Sequence, residues 1–461
     1  MASLEALLGL RSIWGLTGLP TQAVEQAILT GGDPVLPSSF AVGAAAQASI
    51  AAAALAACEL GHVRGAERQT VAVEMAHAAL ECTAWFSLDG QTPEAWDKFS
   101  GLYRCRSGWV RLHSNFAHHR DGALRLLGLN PEQAGRTDVE LALLQWDPVD
   151  FESATAERGL VATALRSFDE WDASPQGIAV AAQPLFSLER LGDAPPLQLP
   201  ELPVLARPLQ GLRVLELTRI LAGPVGGRAL AAYGADVLLV NGPHLPNIAA
   251  IADTSRGKRS AHVDLRTEGG RESLASLVSA AHVFVQGYRP GGLLERGFGS
   301  RDLAAMRPGI VCVSLSAYGS QGPWAGRRGF DSLVQTAMGF NEAEGRAAGG
   351  DRPRALPMQI LDEATGYLIA LAACAALIRQ QREGGSWHVQ VSLAQTANWL
   401  RGLGRIAGGF AIARPDMESY VQASPSGFGL LRGLRHSAML GRTPAGWDLP
   451  SMPPGTHPAA W

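Results

Sequence analysis

Asp362 stands in the stretch PMQILDEATGYLIALAACAAL, after a short apolar run and ahead of a long one that reads as a helix. An isolated Asp at such a boundary is ordinarily an N-cap, its side chain accepting from the free backbone N–H groups of the first turn. The same geometry favours the carboxylate anion, because the helix dipole is positive at that end. A fixed, ionised and partly buried carboxylate is a nucleophile suited to covalent catalysis. Glu363 is the alternative. Consecutive residues at a helix start point in different directions, so only one of the two serves.

Two basic segments supply a second kind of chemistry. SRGKRS (255–260) places Arg256, Lys258 and Arg259 within four residues. GYRPG (287–291) sets Tyr288 and Arg289 in a Pro/Gly turn directly after a strand-like run, and Arg296 follows. Each alone reads as a solvated charged loop. Both follow strands of one sheet, however, and ligands of α/β sheets bind beyond the carboxyl ends of strands. The pair therefore reads as a nucleotide-phosphate site, with cations on the phosphates and Tyr288 offering a face to a base. LAGPVGG (221–227) is a loop after a strand and before a helix, so its backbone N–H groups can approach a phosphate. It is not G-x-G-x-x-G, and Asn241 rather than an acid ends the next strand, which argues against a dinucleotide dehydrogenase.

Other chemistries lack their residues. There is no H-E-x-x-H, C-x-x-C or G-x-S-x-G, and His118-His119 reads as a surface pair without a spaced acidic partner, so no metal site is expected. The five cysteines, Cys58, Cys82, Cys105, Cys312 and Cys374, are scattered and read as reduced core residues of a cytoplasmic protein. Lys and Arg number 39 against 42 Asp and Glu, which leaves no basic field for nucleic acid and no polybasic tail for a membrane. The N-terminal MASLEALLGLRSIWGL has no basic n-region and does not read as a signal peptide. Phe40 to Leu60 is nearly apolar, but Ala dominates it and Gln47 and Ser49 interrupt it, so it reads as a buried helix.

The elements that position these residues follow from the pattern. The 461 residues divide at a Pro/Leu-rich linker, 196–210, into an N-terminal α/β part (1–195) and a C-terminal part. In the latter, strands at 212–217, 235–241, 261–265, 282–287, 309–319 and 387–393 alternate with helices at about 226–234, 267–280 and 364–383, which predicts a Rossmann-like parallel sheet over 211–400. The last residues, 401–461, are rich in Gly and Pro and read as a tail that wraps over other elements or partly lacks order. The N-terminal part carries an internal echo. RGAERQTVAVEMAHAAL (64–80) repeats the pattern of REGGSWHVQVSLAQTANWL (382–400), with Val73 in the place of Val391 and Ala44 in the place of Asp362. The first copy keeps the scaffold and lacks the carboxylate.

GLRVLELTRILAGPVGGRALAAYGADVLLVN resembles the opening of the class III (family III) CoA-transferases. The likeness continues in order through RGKRSAHVDLRTEGGRESLASLV, FVQGYRPGGLLERGFG, IVCVSLSAYGSQGPWAGRRGFDSLVQTAMG and LDEATGYLIALAACAALIRQQREGGSWHVQVSL, covering about 206–400. The N-terminal part resembles the later half of that family more weakly, so the chain looks like a rearranged or partly duplicated member with the later half first. The resemblance implies an aspartyl nucleophile at Asp362 that forms a mixed anhydride and then an aspartyl-CoA thioester. It implies an acyl-CoA and a carboxylic acid as substrates, no permanently bound cofactor, and a homodimer of interlocked rings. By position it assigns CoA to Lys258, Arg259, Tyr288, Arg289 and Arg296, with Ala222 and Gly223 of the helix-opening loop, and sets Tyr318 near the thioester. This sequence departs from the family pattern at Asn241, at Thr254 and Ser255, in the arginine after the RPG turn, which comes one place late, and in lacking a clear glycine-rich loop in the N-terminal part. A racemase of the same fold would need a His at Phe330, which cannot accept a proton. A non-catalytic acyl-CoA-binding partner subunit is the other competing reading, favoured by the domain order and opposed by Asp362.

Overall fold

The computed structural model describes residues 3–461; Met1 and Ala2, the start of the stretch weighed as a signal peptide, lie outside them. Its centre is a seven-stranded sheet in the order Lys258–His262, Asp236–Asn241, Arg213–Leu217, Val283–Gln286, Val311–Ser316, Ser386–Ser392, Phe186–Gly192. The first six are parallel, and only Phe186–Gly192 runs antiparallel. Numbered along the C-terminal part, the parallel order is 3-2-1-4-5-6, the doubly wound arrangement of Rossmann folds. Near-continuous apolar runs such as VLEL and VLLV form these strands because helices cover both faces. The order reverses between Arg213–Leu217 and Val283–Gln286, and the loops that follow these two strands diverge there to leave a crevice.

Sequence pattern places the strands within a few residues, with one shift of consequence. The third strand begins at Lys258, three residues before the predicted 261. Its charged start hides it from a hydrophobic reading, and the shift puts Lys258 and Arg259 inside the sheet instead of in a loop.

The N-terminal part is interleaved with the rest. Its apolar run forms the helix Val42–Val63, buried almost throughout and packed against the helix Ile360–Glu383, which carries Asp362. Gln47 interrupts that apolar run because its amide donates to the carbonyls of Thr30 (2.8 Å) and Val73 (2.7 Å), tying the helix to two strands. Those strands, Ala27–Thr30 and Val71–Glu74, form a small sheet with Ala438–Leu440 from the C-terminal tail. Val73 has Leu29 as its parallel and Ala438 as its antiparallel neighbour, just as Val391 has Leu315 and Phe186. The echo is thus an echo in space, from the helix through the strand to the short helices Met75–Glu81 and Leu393–Gly402.

Each part lends the other an antiparallel strand. Phe186–Gly192 crosses from the N-terminal part to the large sheet, and Ala438–Leu440 returns from the tail to the small one. The linker does not hang free: Leu197 N–H donates to Gln380 at 3.0 Å and Arg64 donates to the carbonyls of Pro200 and Pro208. The tail is ordered as a hairpin, Val421–Ser426 with Gly429–Leu434, followed by an irregular stretch pinned by Trp447 and Trp461. Between the two units lies a small lobe, strands Gly101–Arg104, Trp109–Leu112 and Ala162–Ala164 with three helices, built on its own core of Phe99, Tyr103, Leu124 and Phe151.

Candidate active site

A cavity of about 420 Å³ opens at the crevice where the strand order reverses. It is lined by the loops after Arg213–Leu217 and Val283–Gln286, on the side of the outer strands by Gly242, His244, Pro246, Val263 and Leu265, and on the other side by Asp362 with Leu393 and residues 315–317. Six arginines line it: Arg219, Arg266, Arg289, Arg296, Arg327 and Arg328. Arg266 is paired with Asp264, Arg289 with Glu295 and Arg327 with the buried Glu152. Arg296 donates to the Gly292 carbonyl at 2.7 Å, which closes the turn that follows RPG.

Asp362 sits in the first turn of its helix and is nearly buried. The N-cap role read from sequence belongs to another residue. Asp331, fully buried at the start of the helix Asp331–Ala337, accepts from the Asp362 N–H at 2.9 Å and also receives the Leu361 N–H. Asp331 thereby takes the helix N–H groups that would have stabilised Asp362 as an anion. Burial pushes the Asp362 carboxyl well above the usual carboxylate range, and the Asp331 charge raises it further. Asp331 itself is raised to about 6, chiefly by burial. The sequence expectation of a dipole-stabilised anion is therefore corrected: Asp331 takes the N–H groups of the helix start, and Asp362 is more basic than an ordinary carboxylate.

Glu363 points away from the cavity. It is fully buried near Arg228 (3.8 Å), in an ionic cluster with Asp253 and Glu81, and burial holds its carboxyl well above the ordinary range. Of the two adjacent carboxylates only Asp362 faces the cavity.

The remaining predicted residues divide. Tyr288, Arg289, Arg296 and Ala222 line the cavity. Lys258 does not: its ammonium is enclosed, donating to Glu216 and to the Pro224 carbonyl, both at 2.7 Å. Arg259 clasps Asp236 at 2.8 Å and lies over the Trp461 ring. Arg256 bonds Asp253 and the Leu434 carbonyl beneath Trp447. The whole SRGKRS motif thus ties strand to helix and tail, a consequence of the early strand start. Gly223 is not a ligand contact but a packing position, where a Cβ would come within 2.4 Å of Thr218. Tyr318 is buried behind the wall, edge-on to Trp324 at 4.9 Å, and Ser316 and Ala317 face the cavity in its stead.

Several lining residues escaped the sequence. Arg219 follows the first strand and lies over the Phe116 ring at 5.3 Å. Phe116, His118 and His119 come from the small lobe, so the N-terminal part completes the cavity. The pair read as superficial is half right: His118 is exposed, whereas His119 is buried, its ring nitrogen 3.4 Å from Arg328, and burial lowers its pKa to about 3. Phe330 stacks on His113 at 4.1 Å and leaves no imidazole at that position. Among the described residues no cluster of His, Cys, Asp and Glu has the arrangement of a metal site.

Residues 209–407 match the family model described as CoA-transferase family III. An acyl-CoA transferase of Gibberella moniliformis is 30% identical over 416 residues, 80% of this chain and 73% of that protein. That share exceeds the C-terminal part alone, so the likeness reaches into the N-terminal part. A probable fatty acyl-CoA transferase of Mycobacterium tuberculosis is 34% identical over 42% of this chain and 53% of its own length. A succinate–glutarate CoA-transferase of Agrobacterium fabrum is 34% identical over 40% of this chain and 51% of its own. The chain spans about half the length of these last two relatives. The chain belongs to CoA-transferase family III, a class of α/β enzymes acting on acyl-CoA.

Proposed function

We propose that the protein moves CoA from an acyl-CoA thioester to a carboxylic acid, with Asp362 as the nucleophile. The observation that carries this reading is the position of Asp362, whose carboxyl faces a cavity that Tyr288, Arg289 and Arg296 also line. Guanidinium groups suit the phosphates of CoA, and the thioester carbonyl then lies against the carboxylate.

The chemistry runs through balanced exchanges. The Asp362 carboxylate attacks the thioester carbonyl; the carbon–sulfur bond breaks and CoA leaves as its thiolate, giving an acyl-aspartyl anhydride. The thiolate attacks the aspartyl carbonyl of the anhydride, releases the first acid as carboxylate and forms an aspartyl-CoA thioester. The acceptor carboxylate attacks that thioester to give a second anhydride, and the thiolate attacks its acyl carbonyl to release the new acyl-CoA and the free Asp362 carboxylate. Splitting one transfer into several acyl exchanges lowers each barrier. The raised basicity of Asp362 strengthens its attack, and the apolar wall of Ala222, Ala317 and Leu393 keeps water from the anhydride.

The proposal includes a cytoplasmic enzyme that needs no resident cofactor and pairs as a homodimer. Mass measurement in solution checks the last point, with about 97 kDa expected from the 48.6 kDa chain. For the chemistry, the protein is incubated with an acyl-CoA and hydroxylamine and digested. An aspartyl hydroxamate on the peptide containing Asp362 is the expected product; its absence with a range of thioesters would favour a binding subunit.

A further inference from the structure

A second cavity, of about 350 Å³, lies beside the first at the carboxyl ends of Val283–Gln286, Val311–Ser316 and Ser386–Ser392. The two share Tyr288, Pro290, Leu315 and Ser316 in their linings and so adjoin along these residues. Leu393, on the Asp362 wall of the first cavity, falls between Val391 and Gln395 of the second. The closing wall comes from the N-terminal part: Gln183 accepts from the Gln395 amide at 3.2 Å just ahead of the crossing strand.

The two linings differ in kind. Six arginines face the first cavity, whereas the second has no Asp, Glu, Lys, Arg or His among its lining residues. In their place stand Gln183, Gln286, Gln390 and Gln395, with four serines. The Gln286 carbonyl accepts from the Tyr288 N–H at 3.2 Å, which leaves its amide NH₂ to a ligand. An ion moved into such a site loses its hydration and gains no counter-charge. Gln183, Gln395 and Ser314 already hold partners in Ala179, Ser392 and His388, but a plain hydrocarbon chain strips water from the Gln286 NH₂, Gln390 and Ser187 and leaves them unpaired. Only an uncharged group rich in hydrogen-bonding atoms meets both conditions.

The position of the site selects the part of the substrate. The phosphate end of CoA and the thioester both belong to the first cavity, so the pantetheine arm that joins them runs within it. The acyl group is what remains. We infer that the second cavity receives the acyl group past Ser316 and Tyr288, which line both cavities, and that the transferred acids are uncharged beyond the reacting carboxyl and bear hydroxyl or amide groups. The inference rests on the proposed transfer at Asp362.

Exchange is measured with 3-hydroxybutyryl-CoA, butyryl-CoA and succinyl-CoA as donors to one acceptor acid. The hydroxylated donor should be favoured over butyryl-CoA and over succinyl-CoA by about tenfold or more in kcat/KM, because a site built for hydrogen bonds rejects analogues that lack them. Gln390→Leu should reduce the preference over butyryl-CoA to about threefold or less while butyryl-CoA exchange persists, and Ser187→Ala should move it the same way where the leucine variant fails to fold. Equal use of the three donors, a preference for succinyl-CoA, or a preference untouched by both variants overturns the inference while leaving the transferase reading intact. Absence of exchange with all three donors overturns both.

Discussion

At the start of the helix Val42–Val63, Asp33 accepts from the N–H groups of Gly43 (3.2 Å) and Ala44 (2.8 Å). At the start of the helix Ile360–Glu383, Asp331 does the same for Leu361 and Asp362. The helices pack against each other, each leads into a strand flanked by one parallel and one antiparallel neighbour, and each strand leads into a short helix. One carboxylate per unit caps the helix, and the unit that faces the cavity carries a second. The comparison separates two requirements that coincide in sequence: a buried helix needs a cap, and a transferase needs a nucleophile. Where Ala44 stands the first is met alone.

The sharpest way to break this parallel is to remove the second carboxylate. Asp362→Ala should lower kcat by about 10⁴-fold or more, as loss of a covalent nucleophile does, while circular dichroism and thermal unfolding stay near wild type. Full activity in that variant would sink the assignment. The reciprocal change, Ala44→Asp, should create no second site, since Ala44 is fully buried. It should instead cost about 3 kcal/mol by burying a carboxyl beside Asp33, read by denaturant titration, with hydroxamate trapping still at one per chain. Asp331→Asn keeps an acceptor for the helix and removes the charge that raises Asp362. The nucleophile must be ionised, so activity falls as pH drops through its raised pKa; with the neighbouring charge gone that pKa drops, and the acidic limb of the kcat/KM profile should move to lower pH. An unmoved limb would show that Asp331 serves the helix alone. The smallest effect belongs to Asp33→Ala, a lost cap worth about 1 kcal/mol, detected as a lowered melting temperature with kcat/KM near wild type.

The legible parts of the sequence were those whose signals are local. Apolar runs marked the strands, the long Ala-rich stretch marked a buried helix, and the GYRPG turn marked one side of the cavity. The rest depends on partners distant in the chain. Asp331 lies 31 residues ahead of the residue it caps, and no local pattern joins them. Lys258 looks like a phosphate ligand until Glu216 is seen against it. His119 looks superficial until Arg328 and Phe330 close around it. Charged residues mislead in this chain because much of its charge is structural, held in enclosed pairs rather than spent on ligands.

The mutual loan of strands has a consequence for how the molecule is made. The small sheet is completed by Ala438–Leu440, about 360 residues after Val71–Glu74, and the large sheet by a strand laid down before any of its neighbours exist. Neither can close until a partner distant in sequence has been made. Phe186–Gly192 must wait, unpaired, for a partner about 200 residues away. Folding of this protein should therefore be slow and limited by contacts distant in sequence. A nick at the exposed Val204–Leu205 in the linker should leave two fragments that copurify and unfold together.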